Sequence, residues 1–102
     1  MIRHCVFVKF RSDVDAAGRE EAYRDLRALV GKLDGLIDGH FGGNVSPEGA
    51  GRGYTGGFTM DFVDAAARDA YLIDPDHRAA GKKLVSYLES VDDRVFVFDL
   101  EL

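Results

Sequence analysis

Two stretches, RHCVFVKF (residues 3–10) and VFVFDL (residues 95–100), constrain the fold more than anything else in the chain. Both alternate with a period of two and read as strands, yet neither has a polar face. In the first, His4, Val6, Val8 and Phe10 fall on one side and Cys5, Phe7 and Lys9 on the other; in the second, Phe96, Phe98 and Leu100 oppose Val95 and Val97. A sheet with helices on one face and water on the other should alternate apolar with polar. The second face therefore needs a cover, and the simplest cover is another copy of the chain. Two such sheets face to face form a barrel-like homodimer. Each buried Val- or Phe-sized side chain contributes roughly 1.5–3 kcal/mol, so a handful of them makes a substantial interface.

Between these strands the pattern changes twice. From residue 16 to about 31, Tyr23, Leu26, Leu29, Val30 and Leu33 recur at helical spacing, with Asp15 or Asp13 as the cap and Gly31 and Gly35 as the stop. LIDGHFGGNV reads as a weaker strand, whose glycines suggest a bulge or a close backbone approach. A long Gly-rich loop runs from Asn44 to Gly57, and GFTMDF follows as a strand with Phe58, Met60 and Phe62 on one face. Asp64 caps a short helix, AAARDAYLI. Asp74 caps the next, with Pro75 at its first position, and that helix runs to about Leu88. The order β-α-β-β-α(α)-β predicts an α+β, ferredoxin-like fold: a four-stranded antiparallel sheet with helices on one face. At 102 residues the chain reads as one domain.

Bulk properties remove several classes of function. The formal net charge is −5 with the basic residues scattered, which argues against nucleic acid and anionic membranes. No apolar run approaches the roughly 18 residues of a membrane span. The first ten residues lack the apolar core of a signal peptide, so a cytoplasmic protein is expected. The single Cys5 reads as a small buried hydrophobe. His4, His40 and His77 lack zinc spacing, so no metal is expected; a single-histidine haem ligand is left open by spacing alone. Gly51-Arg52-Gly53-Tyr54-Thr55-Gly56 fits G-x-G-x-x-G in form only, because it precedes a strand and does not open a helix. No serine stands in a nucleophile elbow.

The chemistry concentrates in AYLIDPDHRAAG, residues 70–81. Tyr71 and His77 flank a sharp reversal. In the first turn of a helix His77 should stay neutral, as a general base must, and Tyr71 could hydrogen-bond a carbonyl or enolate oxygen. The plainer reading packs Tyr71 in the core and assigns His77 to helix capping. His4 is either a structural histidine or a polar group on a pocket wall.

MIRHCVFVKF, GNVSPEG with GYT, AYLIDPDH and VFDLEL, in that order, resemble the stress-responsive A/B barrel (Dabb) family along nearly the whole chain. The resemblance implies the dimeric α+β barrel and, in the polyketide cyclase branch, a cofactor-free aldol or Claisen-type reaction. His77 would then be the base, Tyr71 the oxyanion donor and His4 a pocket residue. Val6, Val8, Leu26, Phe58, Met60 and Leu84 would form the apolar wall around a small hydrophobic ligand. Two positions depart from that branch: Gly56 stands where its pocket carries a further histidine, and Asp74 where histidine is common. The alternatives are a non-catalytic stress-responsive ligand-binding module and, by fold analogy alone, a cofactor-free or haem-dependent monooxygenase.

Overall fold

The computed structural model describes all 102 residues. The period-two stretches become β1 (Ile2–Val8), β2 (Leu36–Gly43), β3 (Gly56–Phe62) and β4 (Val95–Glu101). They form one sheet in the order β2-β3-β1-β4, with every adjacent pair antiparallel. Three helices, α1 (Ala16–Arg27), α2 (Ala65–Ile73) and α3 (Pro75–Val85), complete the predicted ferredoxin-like plan. β1 ends two residues earlier than its pattern suggests, and Phe10 then forms a separate bridge to Leu88. α3 stops at Val85, short of the predicted Leu88, because the chain turns there to make that bridge.

Caps fix the helix starts. Asp15 accepts from the Gly18 N–H at 2.8 Å and Asp64 from the Ala67 N–H at 2.9 Å; each satisfies one of the backbone donors that a helix start leaves unpaired. α1 gives way to turns after Arg27, and Gly31 and Gly35 take positive φ where the chain reverses into β2.

Val6, Val8, Phe58, Met60 and Phe62 project from β1 and β3 onto Tyr23, Leu26, Tyr71 and Leu84 of the helices. Val8, Met60 and Phe62 are completely enclosed. The phenol of Tyr23 donates to the carbonyl of Gly42 at 2.9 Å, and burial pushes its pKa up to about 12. Of the two suggestions for the glycines of β2, the close approach falls on a glycine and the bulge does not. The register slips between Leu36 and Asp38, and a Cβ at Gly39 would lie 2.8 Å from Val30 and 3.0 Å from the sulfur of Met60.

The other sheet face is bare. On β1 and β4 it carries Phe7, Phe96, Phe98 and Leu100, all exposed. On β2 and β3 it carries Asp38, His40, Thr59 and Asp61, so only half of this face is apolar. Arg3 and Asp61 bridge the halves through two hydrogen bonds of 2.8 and 3.0 Å, which hold the Asp61 carboxyl below its usual range. No helix packs its backbone against β4, so Val95 and Val97 are exposed on its inner side as well.

Candidate functional site

Asp74 organises the reversal between α2 and α3. Its N–H donates to the Tyr71 carbonyl at 3.1 Å, closing α2, while its carboxylate accepts from the N–H groups of Asp76 (2.8 Å) and His77 (3.1 Å), opening α3. Pro75 occupies the first helical position, where its missing N–H costs nothing. One residue thus ends one helix and starts the next. The last turn of α2 and the first turn of α3 meet, and the rings of Tyr71 and His77 lie 3.8 Å apart between centroids, tilted by 31°.

Neither ring makes a well-formed hydrogen bond there, although the carbonyls of Leu72 and Tyr71 lie beside the His77 ring and partly offset its loss of proton affinity. Tyr71 Oη and His77 Nδ1 are the only buried side-chain polar atoms in the chain without a hydrogen-bond partner. Leaving such a group unpaired costs about 1–3 kcal/mol, so the pair stands out in a core that otherwise settles its polar groups. Burial, followed by the neighbouring His4, lowers the proton affinity of His77, and burial alone raises the pKa of the Tyr71 phenol. His77 is therefore a neutral imidazole and Tyr71 a protonated donor at neutral pH. Neutrality at His77 matches the expectation, but burial rather than the helix terminus leads among its causes.

Beside this pair a cavity of about 430 Å³ opens between α2, α3 and the inner side of β4. His4, Val6, Leu26, Phe58, Leu84 and His77, which the family resemblance implies for the site, line it. Val8 and Met60, predicted for the wall, sit beneath it in the packed core, fully enclosed. Tyr71 stands one layer behind the lining at 2% exposure, with its ring 5.9 Å from that of His4.

The reading from sequence missed a polar chain along this wall. His4 Nδ1 lies 2.6 Å from Asp99 Oδ1, and Arg68 Nη1 donates to Asp99 Oδ2 at 2.5 Å. Arg68 Nε also donates to Asp69 at 2.8 Å. Burial pushes the Asp99 carboxyl upward, but the hydrogen bonds from His4 and Arg68 outweigh it and hold the group below the usual carboxylate range. An aspartate interrupting VFVFDLEL and an arginine three residues before Tyr71 were the available signals. The facing of His4 and Asp99 depends on the register of β1 with β4.

A larger depression of about 580 Å³ lies on the bare face, walled by Phe7, Phe96 and the glycines of β2 and β3. It holds no comparable constellation. His40 is exposed on that side, 3.2 Å from Asp38, and no three metal-type side chains converge anywhere in the chain. Gly56 also finds its reason: a Cβ there would lie 2.6 Å from the Tyr23 hydroxyl and 2.7 Å from the Phe10 ring. Those two side chains fill the space that a histidine at this position would need.

Comparison with known proteins agrees with this architecture. Olivetolic acid cyclase of Cannabis sativa is 24% identical over 98 residues, covering 96% of this chain and 93% of the cyclase. A dimeric ferredoxin-like protein of unknown function from Jannaschia sp. CCS1 is 33% identical and superposes with a TM-score of 0.87 over 99% of this chain and 98% of that one. Hydroxynitrile lyase from Passiflora edulis shares the fold at 17% identity, with a TM-score of 0.80 over 97% of this chain and 90% of the lyase. No helix is long and apolar enough to cross a membrane. The sequence pattern of the Stress responsive A/B Barrel Domain matches residues 2–102, and the chain belongs to that family, Dabb.

Proposed function

We propose that this protein is a homodimer in which each protomer carries a small cofactor-free site for a hydrophobic carbonyl compound, closing it by an aldol or Claisen-type step. The observation that carries the reading is the pair of unpartnered buried atoms, Tyr71 Oη and His77 Nδ1, beside an apolar cavity. Such groups persist where a ligand completes their bonding. His77, neutral and half-buried, takes a proton from the carbon next to a carbonyl. Tyr71 donates to the enolate oxygen that forms, after a small shift in the His77–Tyr71 stack bares its hydroxyl. Val6, Leu26, Phe58 and Leu84 fold the chain of the substrate so that its enolate carbon meets a second carbonyl. The cyclase relative supports the reaction class, and the dimeric relative supports the assembly.

The test uses a linear diketone whose closure yields a six-membered conjugated enone, followed by its ultraviolet absorbance. His77→Ala and Tyr71→Phe should each lower the rate at least about a hundredfold, the scale of general acid–base catalysis, with the dimer intact by sedimentation. Unchanged turnover in both variants would exclude the assignment. Binding of the diketone without closure by the native protein would instead favour a non-catalytic ligand-binding module.

A further inference from the structure

We propose that His4 is the acid partner of His77, held for that role by Asp99 and Arg68. The inference rests on the carbonyl-condensation reading and adds the proton that this chemistry requires at its second carbonyl. Both histidines line one cavity, and the Tyr71 ring neighbours each of them, with centroids 3.8 Å from His77 and 5.9 Å from His4. Their settings are opposite. His77 has no partner at Nδ1, whereas Nδ1 of His4 is committed to Asp99 at 2.6 Å. That bond leaves Nε2 as the only ring nitrogen of His4 without a protein partner. When Nε2 carries a proton, the carboxylate of Asp99 faces the resulting imidazolium. Arg68 holds the second oxygen of that carboxylate at 2.5 Å and is itself braced by Asp69, so Asp99 cannot rotate away. Two like groups in one pocket, one backed by an anion and one not, suit opposite halves of a proton transfer.

The step balances. His77 accepts the proton of the carbon–hydrogen bond, and that electron pair becomes the enolate, its oxygen held by Tyr71. The enolate carbon bonds to the second carbonyl carbon, whose π pair moves onto oxygen. That alkoxide takes the proton on His4 Nε2. One proton has then passed from His4 to product and one from substrate to His77, and solvent exchange resets the pair. The β-hydroxy ketone then loses its α-hydrogen and hydroxyl as water to give the conjugated enone that the assay reads.

Two reactions on the full-length protein separate the roles. Closure of the linear diketone needs both histidines. Deuterium uptake in heavy water next to the carbonyl of a simple methyl ketone needs the base and the oxyanion donor only. His4→Gln should slow closure at least about tenfold more than it slows deuterium uptake, on the scale of a lost general acid; His77→Ala should abolish both. Asp99→Asn should also slow closure more than uptake, by a smaller ratio than His4→Gln, and should remove the far-downfield proton resonance of the His4–Asp99 hydrogen bond. Closure at the native rate in His4→Gln, or equal loss of closure and uptake in a variant that still folds and dimerises, overturns the acid role and leaves the condensation reading standing. Failure of the native protein in both reactions removes the condensation reading itself.

Discussion

The two faces of the sheet treat polar and apolar groups in opposite ways. On the bare face the polar groups are paired, Arg3 with Asp61 and His40 with Asp38, while Phe7, Phe96, Phe98 and Leu100 stand in the open. On the covered face the apolar side chains are enclosed, and polar atoms of Tyr71 and His77 are left without partners. β4 contributes to both: Phe96, Phe98 and Leu100 outward, Val95, Val97 and Asp99 toward the cavity. What a face does is therefore read from which groups it leaves unsatisfied. Unsatisfied hydrocarbon calls for a protein partner; unsatisfied hydrogen-bonding groups call for a ligand.

The largest expected effect breaks the first half of this contrast. Replacing Phe96 and Phe98 by aspartate removes two half-exposed rings (48% and 50%) and places charge where the second copy is proposed to sit. Each ring is already half-covered within the protomer, so about half of the roughly 1.5–3 kcal/mol for a large side chain is at stake for each. At about 1.4 kcal/mol per tenfold, the dimer dissociation constant should rise about tenfold to a hundredfold from lost burial, before the cost of burying the new carboxylates is added. Analytical ultracentrifugation measures it. A native protein that already sediments as a monomer at micromolar concentration would end the homodimer reading. A smaller effect sharpens the second half. Tyr71→Phe removes a buried hydroxyl that has no partner, and should raise stability to urea by about 1 kcal/mol even as it removes the proposed activity. A loss of stability would mean that the hydroxyl is satisfied in the folded protein after all.

The sequence makes the assembly face easier to see than the site. A strand with hydrocarbon on both sides is a local pattern, visible in Val95–Leu100 without knowing which strand lies next to it. The reversal at Asp74-Pro75 is local too, so the meeting of Tyr71 and His77 could be anticipated. The link between His4 and Asp99 is not local. It depends on β1 lying beside β4 in one register, and a slip of one residue would aim Asp99 at the opposite face. Arg68 adds a third element to the same cluster, through the angle at which α2 crosses the sheet. Val8 and Met60 were misplaced for a related reason: alternation assigns a residue to a face, but depth beneath that face is set by the helices lying on it. Gly56 reads in the sequence as one more loop glycine, and only the positions of Tyr23 and Phe10 show that it leaves no room for a side chain.

The smallest effect concerns acid. His77 has a folded proton affinity lowered from its reference value of 6.5, so the unfolded chain binds that proton more readily. Its contribution to stability is complete above about pH 6.5 and is lost as pH falls through and below that value. Asp99, lowered from 3.8, behaves in the same direction but further down: its contribution is present above that value and lost as pH falls through its folded value. Between pH 7 and 5 the slope should therefore report His77 in the setting of its neighbours, His4 and Asp74, while Asp99 stays ionised. Urea midpoints for the native chain should fall across that window, and those of His77→Gln should fall less, because the variant has no imidazole to charge at this position. Equal slopes in the two proteins would mean that His77 is not held neutral by its surroundings, and the contrast between a tethered His4 and an unpartnered His77 would lose its electrostatic half.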